Sequence, residues 1–251
     1  MPLRKSIISR RVRWLNNFGL MVLNAALLRL TMPAVLVGMA ALAASEGWGL
    51  LNMVTLPWFI SCFLALILFD LSIYVQHVLF HIVPCLWRIH RVHHTDVHFD
   101  VTTGLRFHPF EMILSNAIKL IIILIIGAPV VAVISFEVLL NGTSMFNHGN
   151  VNISNPFDRA LRWLVVTPNM HRIHHSVSSH EYGCNFGFNL PWWDKLFGTY
   201  VVKPALGHLD MEIGTQQFRT RRDLWLDKLL IQPFLSERDN SNQGRRSSGR
   251  F

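Results

Sequence analysis

The residue that could do chemistry in this chain is histidine. There are 13 among 251 residues, and nine of them form a pattern. His77 and His81 stand four apart, as H-x-x-x-H. His90, His93 and His94 make H-x-x-H-H with Arg91 inside it, His148 stands alone, and His171, His174 and His175 repeat H-x-x-H-H with Arg172 in the same place. On a helix, imidazoles at i, i+3 and i+4 share one side. Two such clusters would repel if protonated, and a metal ion removes the repulsion by binding the neutral rings. Nine nitrogen ligands are too many for one ion, while a structural zinc site closes with four ligands, usually including cysteine. Two metals with four or five ligands each fit the arithmetic. An all-imidazole set suits Fe, Zn, Cu or Ni, and the spacing does not choose among them. His98, His180 and His208 lack the spacing and read as surface or structural residues.

The elements that must position these rings are apolar. Hydrophobic residues make up 51% of the chain and charged residues only 15%, which excludes a disordered protein, a repeat array and an ordinary soluble enzyme. The net charge of +8 would suit nucleic acid, but the basic residues cluster beside apolar runs and at the chain ends, as juxtamembrane segments do, so no nucleic-acid partner is expected. The apolar stretch Leu20 to Ala44 is too long for a signal peptide and reads as a first membrane helix, its true span starting near Arg29. A second run extends from Leu50 to Phe69 and, less purely, to Val83. A third, Met112 to Leu140, is broken by Gly127, Ala128 and Pro129 into halves of roughly 20–25 Å, giving two short spans or a deep hairpin. Basic residues occupy the N-terminus, the 84–111 loop and the C-terminal part, so the positive-inside rule puts all three, both termini and every histidine cluster on the cytoplasmic side. The expected fold is an all-α, multi-pass integral membrane protein of about four transmembrane helices with a cytoplasmic helical metal-binding cap. Residues 1–235 read as a single domain whose histidine core is about 70–200, residues 216–234 as an amphipathic helix on the membrane, and 236–251 as a disordered tail. The three cysteines have no metal-type spacing, and no G-x-G-x-x-G or G-x-S-x-G motif is present.

Three histidine boxes in this order among membrane spans resemble the fatty acid hydroxylase (sterol desaturase) superfamily of membrane di-iron oxygenases. Further matching stretches are Arg106-Phe107-His108-Pro109-Phe110-Glu111, Asn185-Phe186-Gly187 and Trp193-Asp194-Lys195-Leu196-Phe197-Gly198-Thr199, so the likeness runs from about Asp70 to Tyr200. The resemblance implies two Fe ions that use O2 as co-substrate to attack a C–H bond of a bilayer lipid, by hydroxylation or desaturation. It also implies a separate electron donor, of ferredoxin or cytochrome b5 type with a reductase, and zinc is an expected substitute in recombinant samples. By position, His77, His81, His90, His93, His94, His148, His171, His174 and His175 become the iron ligands. The pattern departs in one place: the hydroxylase branch has a second histidine four residues after the isolated one, where this chain has Asn152.

Asp70, on the face of His77 and His81, is a candidate to accept a proton from a ligating imidazole, or else to pair with an arginine. His108 and Asn152 are candidates for a supporting role or an extra ligand. Phe186 to Phe188 with Trp192 and Trp193 read either as the lining of a lipid channel or as plain interfacial aromatics. Two other functions fit parts of the sequence. A metal-dependent lipid head-group hydrolase would recruit carboxylates, with Asp96 and Asp100 nearest to hand. A membrane metal-binding protein or transporter would need an ionisable path, and Lys119 and Arg29 suit cations badly.

Overall fold

A computed structural model describes residues 2–4, 9–31 and 35–236, and among these the regular structure is helical. The expected tail therefore lies, apart from Ser236, outside the described residues. Helices α1 (Arg10–Thr31), α2 (Val35–Ser45), α3 (Trp58–Ile82), α4 (Pro84–His94), α5 (Pro109–Ile126), α6 (Val130–Asn147), α7 (Asn155–Leu161) and α8 (Pro168–His174) carry the architecture. Among the described residues, four segments are long and apolar enough to cross a membrane: Val35–Asn52, Trp58–Ile82, Pro109–Ile126 and Val130–Asn147. Their outward faces carry exposed Phe59, Phe63, Ile121, Ile125, Val131 and Val138, which a multi-pass membrane protein presents to lipid and a soluble one would bury.

The apolar stretch expected as one first span is divided. The segment suited to crossing begins at Val35, beyond Arg29, and takes in the break at Ser45–Gly49. The preceding α1 is held by polar groups: Arg13 and Asn17 are fully buried against the loop that follows α4, and Arg13 donates to Asp96 and Asp100. The third apolar stretch is two antiparallel spans of 18 residues each, longer than the sequence pattern suggested. Gly127 ends α5 in the left-handed conformation, its N–H bonded to Ile123, and Pro129 precedes the first turn of α6.

Small residues let these helices approach closely. Ala40, Ala65 and Ala132 are buried at the centre, beside Phe69 stacked on Phe136 at 5.0 Å. On the far side, a Cβ on Gly49 would lie 2.1 Å from the backbone nitrogen of Gly127, so these two turns meet only as glycines. The 216–234 segment is not one amphipathic helix. A 3-10 turn at Arg221–Leu224, a helix at Leu226–Ile231 and a second 3-10 turn at Gln232–Phe234 replace it, because Trp225 is extended and Pro233 interrupts the hydrogen bonding. Leu229 packs under Leu20 and Val92, while Trp225 and Phe234 face outward.

Candidate metal centre

α3 delivers His77 and His81 from its last two turns, and α4 follows at once with Pro84 at its first turn, so two histidine boxes meet at one end of the bundle. α6 brings His148 to the same place as its C-terminal cap. α8 is a wholly buried helix of 7 residues, started by Thr167, whose hydroxyl accepts from the Met170 N–H, and by Pro168. The nine rings sort into two groups. His77, His81, His90, His94 and His174 form one, and His93, His148, His171 and His175 the other, with the ligand atoms of each group within 4.8 Å of one another. The two H-x-x-H-H boxes divide in opposite senses. In α4 the i, i+4 pair (His90, His94) joins the first group and His93 the second; in α8 the pair (His171, His175) joins the second group and His174 the first. The groups touch, with His94 stacked on His175 at 4.4 Å.

Hydrogen bonds set the ring orientations. Nδ1 of His77 donates to the Phe186 carbonyl (2.7 Å), His90 to Glu111 (2.7 Å), His148 to the Ser144 carbonyl (2.7 Å) and His174 to the Cys184 carbonyl (2.8 Å). Their Nε2 atoms then carry lone pairs turned inward. Nε2 of His148 lies 3.2 Å from Nε2 of His93 and of His175 and 3.1 Å from that of His171, and Nε2 of His90 and His94 are 3.2 Å apart. Two ligands about 2.1 Å from one ion sit about 3.0–3.4 Å from each other, so the spacing fits a shared cation. Protonation is the other way to join such atoms, and burial opposes it. Burial first, then repulsion from neighbouring rings, hold His93, His94, His171 and His175 well below the ordinary imidazole value, and burial pushes His148 down to about 4 and His174 to about 3. Nε2 of His77 and of His174 and both ring nitrogens of His81 are buried without a partner, which a metal would supply.

Residues behind the rings build this frame. The Asp194 carboxylate accepts from the N–H groups of Phe186 and Gly187 (2.8 Å each) and from the Thr199 hydroxyl (2.6 Å), fixing the strand of backbone whose carbonyl holds His77. A Cβ on Gly187 would come 2.7 Å from that carboxylate, and one on Gly104 would come 3.0 Å from Nδ1 of His148. Asn185 adopts a left-handed backbone (φ 54°) and ties Met170 to Val201. Phe186 packs edge-on to His77, His81 and His174, Phe107 stacks on His93 at 4.5 Å, and Phe99 covers His148, which keeps the rings dry.

Other candidates stand elsewhere. Asp70 binds neither an imidazole nor an arginine; it accepts from Asn189, from the Leu190 N–H and from Trp193, so its role is to anchor the loop before Asp194. His108 lies outside both groups and caps α5, Nδ1 accepting from the Phe110 N–H while Nε2 faces the Leu230 carbonyl. Asn152 is exposed, and His98, His180 and His208 belong to neither group. Sequence reasoning gave no role to Glu111, although a carboxylate at the start of an apolar helix was the available signal. Arg13 is one of the basic residues that the sequence places at the N-terminus, and nothing in its local sequence marks it as a buried partner of Asp96.

Beside the first group lies a cavity of about 300 Å³ between α1, α3, α5 and α6, reached by His77 and His90 at one end and lined by Ile73, Phe80, Leu140 and Phe188.

Residues 62–199 match the family model described as fatty acid hydroxylase. Ornithine lipid hydroxylase OlsE of Rhizobium tropici is 30% identical over 151 residues, 60% of this chain and 44% of that protein. Alkylglycerol monooxygenase of Xenopus tropicalis is 28% identical over 61% of this chain and 34% of its own length. Human cholesterol 25-hydroxylase is 26% identical over 53% of this chain and 48% of its own length. The match thus spans less than half the length of each of these relatives. No solved structure matches.

Proposed function

The chain belongs to the fatty acid hydroxylase family, and from that premise we propose that it is a membrane-bound oxygenase that hydroxylates a lipid at a pair of iron ions. The observation that carries this reading is the sorting of nine buried histidines into groups of five and four beside an apolar cavity among the membrane-type helices. His77, His81, His90, His94 and His174 would hold one ion, and His93, His148, His171 and His175 the other. The ions would supply the activation of O2 and the cleavage of a C–H bond. One oxygen atom enters the lipid as hydroxyl and the other leaves as water, so two electrons must come from a separate carrier of ferredoxin or cytochrome b5 type with its reductase. The lipid enters from the bilayer, and the site faces the cytoplasm, where such carriers work.

The chain's own residues position and protect. Carbonyls of Phe186, Cys184 and Ser144 and the carboxylate of Glu111 hold four rings with Nε2 inward, and the phenylalanine shell excludes water. The three relatives named above act on different lipids by their names, which supports a lipid substrate without choosing one. The hydrolase reading is disfavoured because Asp96 and Asp100 are engaged by Arg13. The transporter reading gains nothing from the spans, because Lys119 and Glu137, which an ion path would need free, are bound to each other (2.5 Å). Mass spectrometry of membrane lipids from cells with and without the gene tests the proposal. A lipid gaining one oxygen atom, lost with His174→Ala, is expected. Loss of two hydrogens would assign desaturation, and an unchanged lipid profile would overturn the reading.

A further inference from the structure

The cavity beside the metal groups is not lined by hydrocarbon alone. Three residues that line it each hold one buried oxygen without a hydrogen-bond partner: Oδ1 of Asn24, Oε1 of Gln76 and Oε2 of Glu111. These residues are 5%, 9% and 3% exposed. Their other polar atoms are spent. Nδ2 of Asn24 donates to the Phe107 carbonyl (2.7 Å), Nε2 of Gln76 to the Ser115 hydroxyl (2.8 Å), and Oε1 of Glu111 accepts from His90 (2.7 Å). The Asn24 amide cannot be reversed, because its nitrogen faces a carbonyl, and a carboxylate engaged by His90 Nδ1–H offers only acceptors, so these two fix the acceptor character of this end; the Gln76 amide faces a hydroxyl, which takes either of its ends. All three belong to the metal end of the cavity. Gln76 precedes His77 in sequence, Glu111 bonds His90, and Asn24 bonds the residue whose ring stacks on His93. A buried acceptor without a donor costs free energy, so an occupant that brings donors is favoured over one that brings none. At the far end, the cation on the wall, Lys119, is already engaged by Glu137, which leaves it poorly placed to draw in a phosphate or carboxylate.

We propose that the substrate is a lipid bearing a hydrogen-bond donor (a hydroxyl, amide N–H or ammonium group) close to the carbon attacked, received by Asn24, Gln76 and Glu111. This rests on the reading of the cavity as the lipid site. It excludes attack in the middle of a plain acyl chain and at an ester-linked phosphatidyl group, which bring only acceptors or nothing. An ordered water could occupy the same acceptors, and a paired comparison separates the two.

The test uses the purified, metal-loaded full-length protein in detergent, with a saturated long-chain primary alcohol and the methyl ether of the same alcohol. Binding is read by native mass spectrometry, and turnover by the mass of the recovered lipid. The alcohol should bind about tenfold more tightly than the ether, the effect of about one buried hydrogen bond. Asn24→Leu and Gln76→Leu should each shrink that ratio while leaving ether binding unchanged. Equal binding of both lipids by the wild-type protein, or preference for the ether, overturns the donor inference even if neither variant folds. Binding of neither lipid, in cells whose lipids are nonetheless hydroxylated, overturns it while sparing the oxygenase reading. Binding of neither, with no cellular lipid modified, overturns both.

Discussion

The guanidinium of Arg13 grips the carboxylate of Asp96 through two nitrogens, each 2.7 Å from an oxygen, and neither side chain is exposed. A third contact, to Asp100 at 2.8 Å, ties α1 to the loop that follows the second histidine box. Burial alone would raise the Asp96 carboxyl, but Arg13 beside it holds it well below the usual range. Removing one partner leaves a buried, unpaired charge, so Arg13→Ala should cost about 3–5 kcal/mol. Thermal unfolding in detergent checks this, and an unchanged midpoint would mean that α1 does not brace the metal end.

Glu111 accepts the Nδ1–H of His90 and so orients a ring of the five-histidine group. Glu111→Leu keeps a side chain of similar length and removes the acceptor. Metal affinity should fall about 10–100-fold, as it does when the hydrogen-bond partners of ligating imidazoles are lost. Metal retained against a graded chelator measures the effect. Loss no greater than that of a surface variant such as His180→Ala would remove Glu111 from the site.

Protein purified with its iron retained should hold close to two metal ions per chain, because the ligand atoms fall into two sets and not one. Zinc in a recombinant sample is compatible with this, since zinc outcompetes Fe(II) at imidazole sites. His93→Ala and His174→Ala each remove a ring from a different group and should abolish lipid modification without preventing membrane insertion. His208→Ala should leave activity unchanged. One ion per chain in well-folded protein, or an inactive His208→Ala beside an active His174→Ala, would dismantle the assignment.

Most of the candidate site was legible in the histidine spacing, because i, i+3 and i+4 relations survive from sequence into a helix without help from the rest of the fold. What it could not carry was the partition. Whether His93 joins His90 or His148 depends on where α6 and α8 arrive, and that is tertiary. The spans were legible as apolar runs, although α1 was not, since its leucines and alanines look lipid-facing until Asp96 and Asp100 are seen to claim Arg13. The amphipathic reading of 216–234 counted leucines correctly but missed the interruptions at Trp225 and Pro233. Asp70 shared a helical face with His77, yet Trp193, Asn189 and the Leu190 N–H reach it from more than a hundred residues away.

Metal-free protein should be acid-labile. Burial holds His148 at about 4 and His174 at about 3 when folded, against 6.5 unfolded. Between those values the unfolded chain binds protons that the folded chain does not. Their contribution to stability is therefore complete above about pH 6.5 and is lost as pH falls toward 4. The unfolding midpoint of the metal-free form should drop steadily from pH 7 to pH 5. A flat profile over that interval would show that these rings are not buried as neutral imidazoles.

The mechanism also requires a sidedness. α3 ends and α5 begins at the metal groups, while Glu46 and the Gly49–Gly127 contact lie at the opposite end of the spans. Basic residues favour the cytoplasm for the histidine end, where reductants and reduced thiols are found. Asp96 is a poor place for a probe because it is buried under Arg13, and Gly47 is a poor one because its φ of 71° strains any side chain. Glu46 and His180 are exposed and serve instead. With Cys62, Cys85 and Cys184 replaced by serine, a membrane-impermeant maleimide added to intact cells should label Glu46→Cys and miss His180→Cys until the cells are opened. Labelling of His180→Cys from outside, with Glu46→Cys protected, would turn the histidine end away from the cytoplasm and from its proposed electron supply.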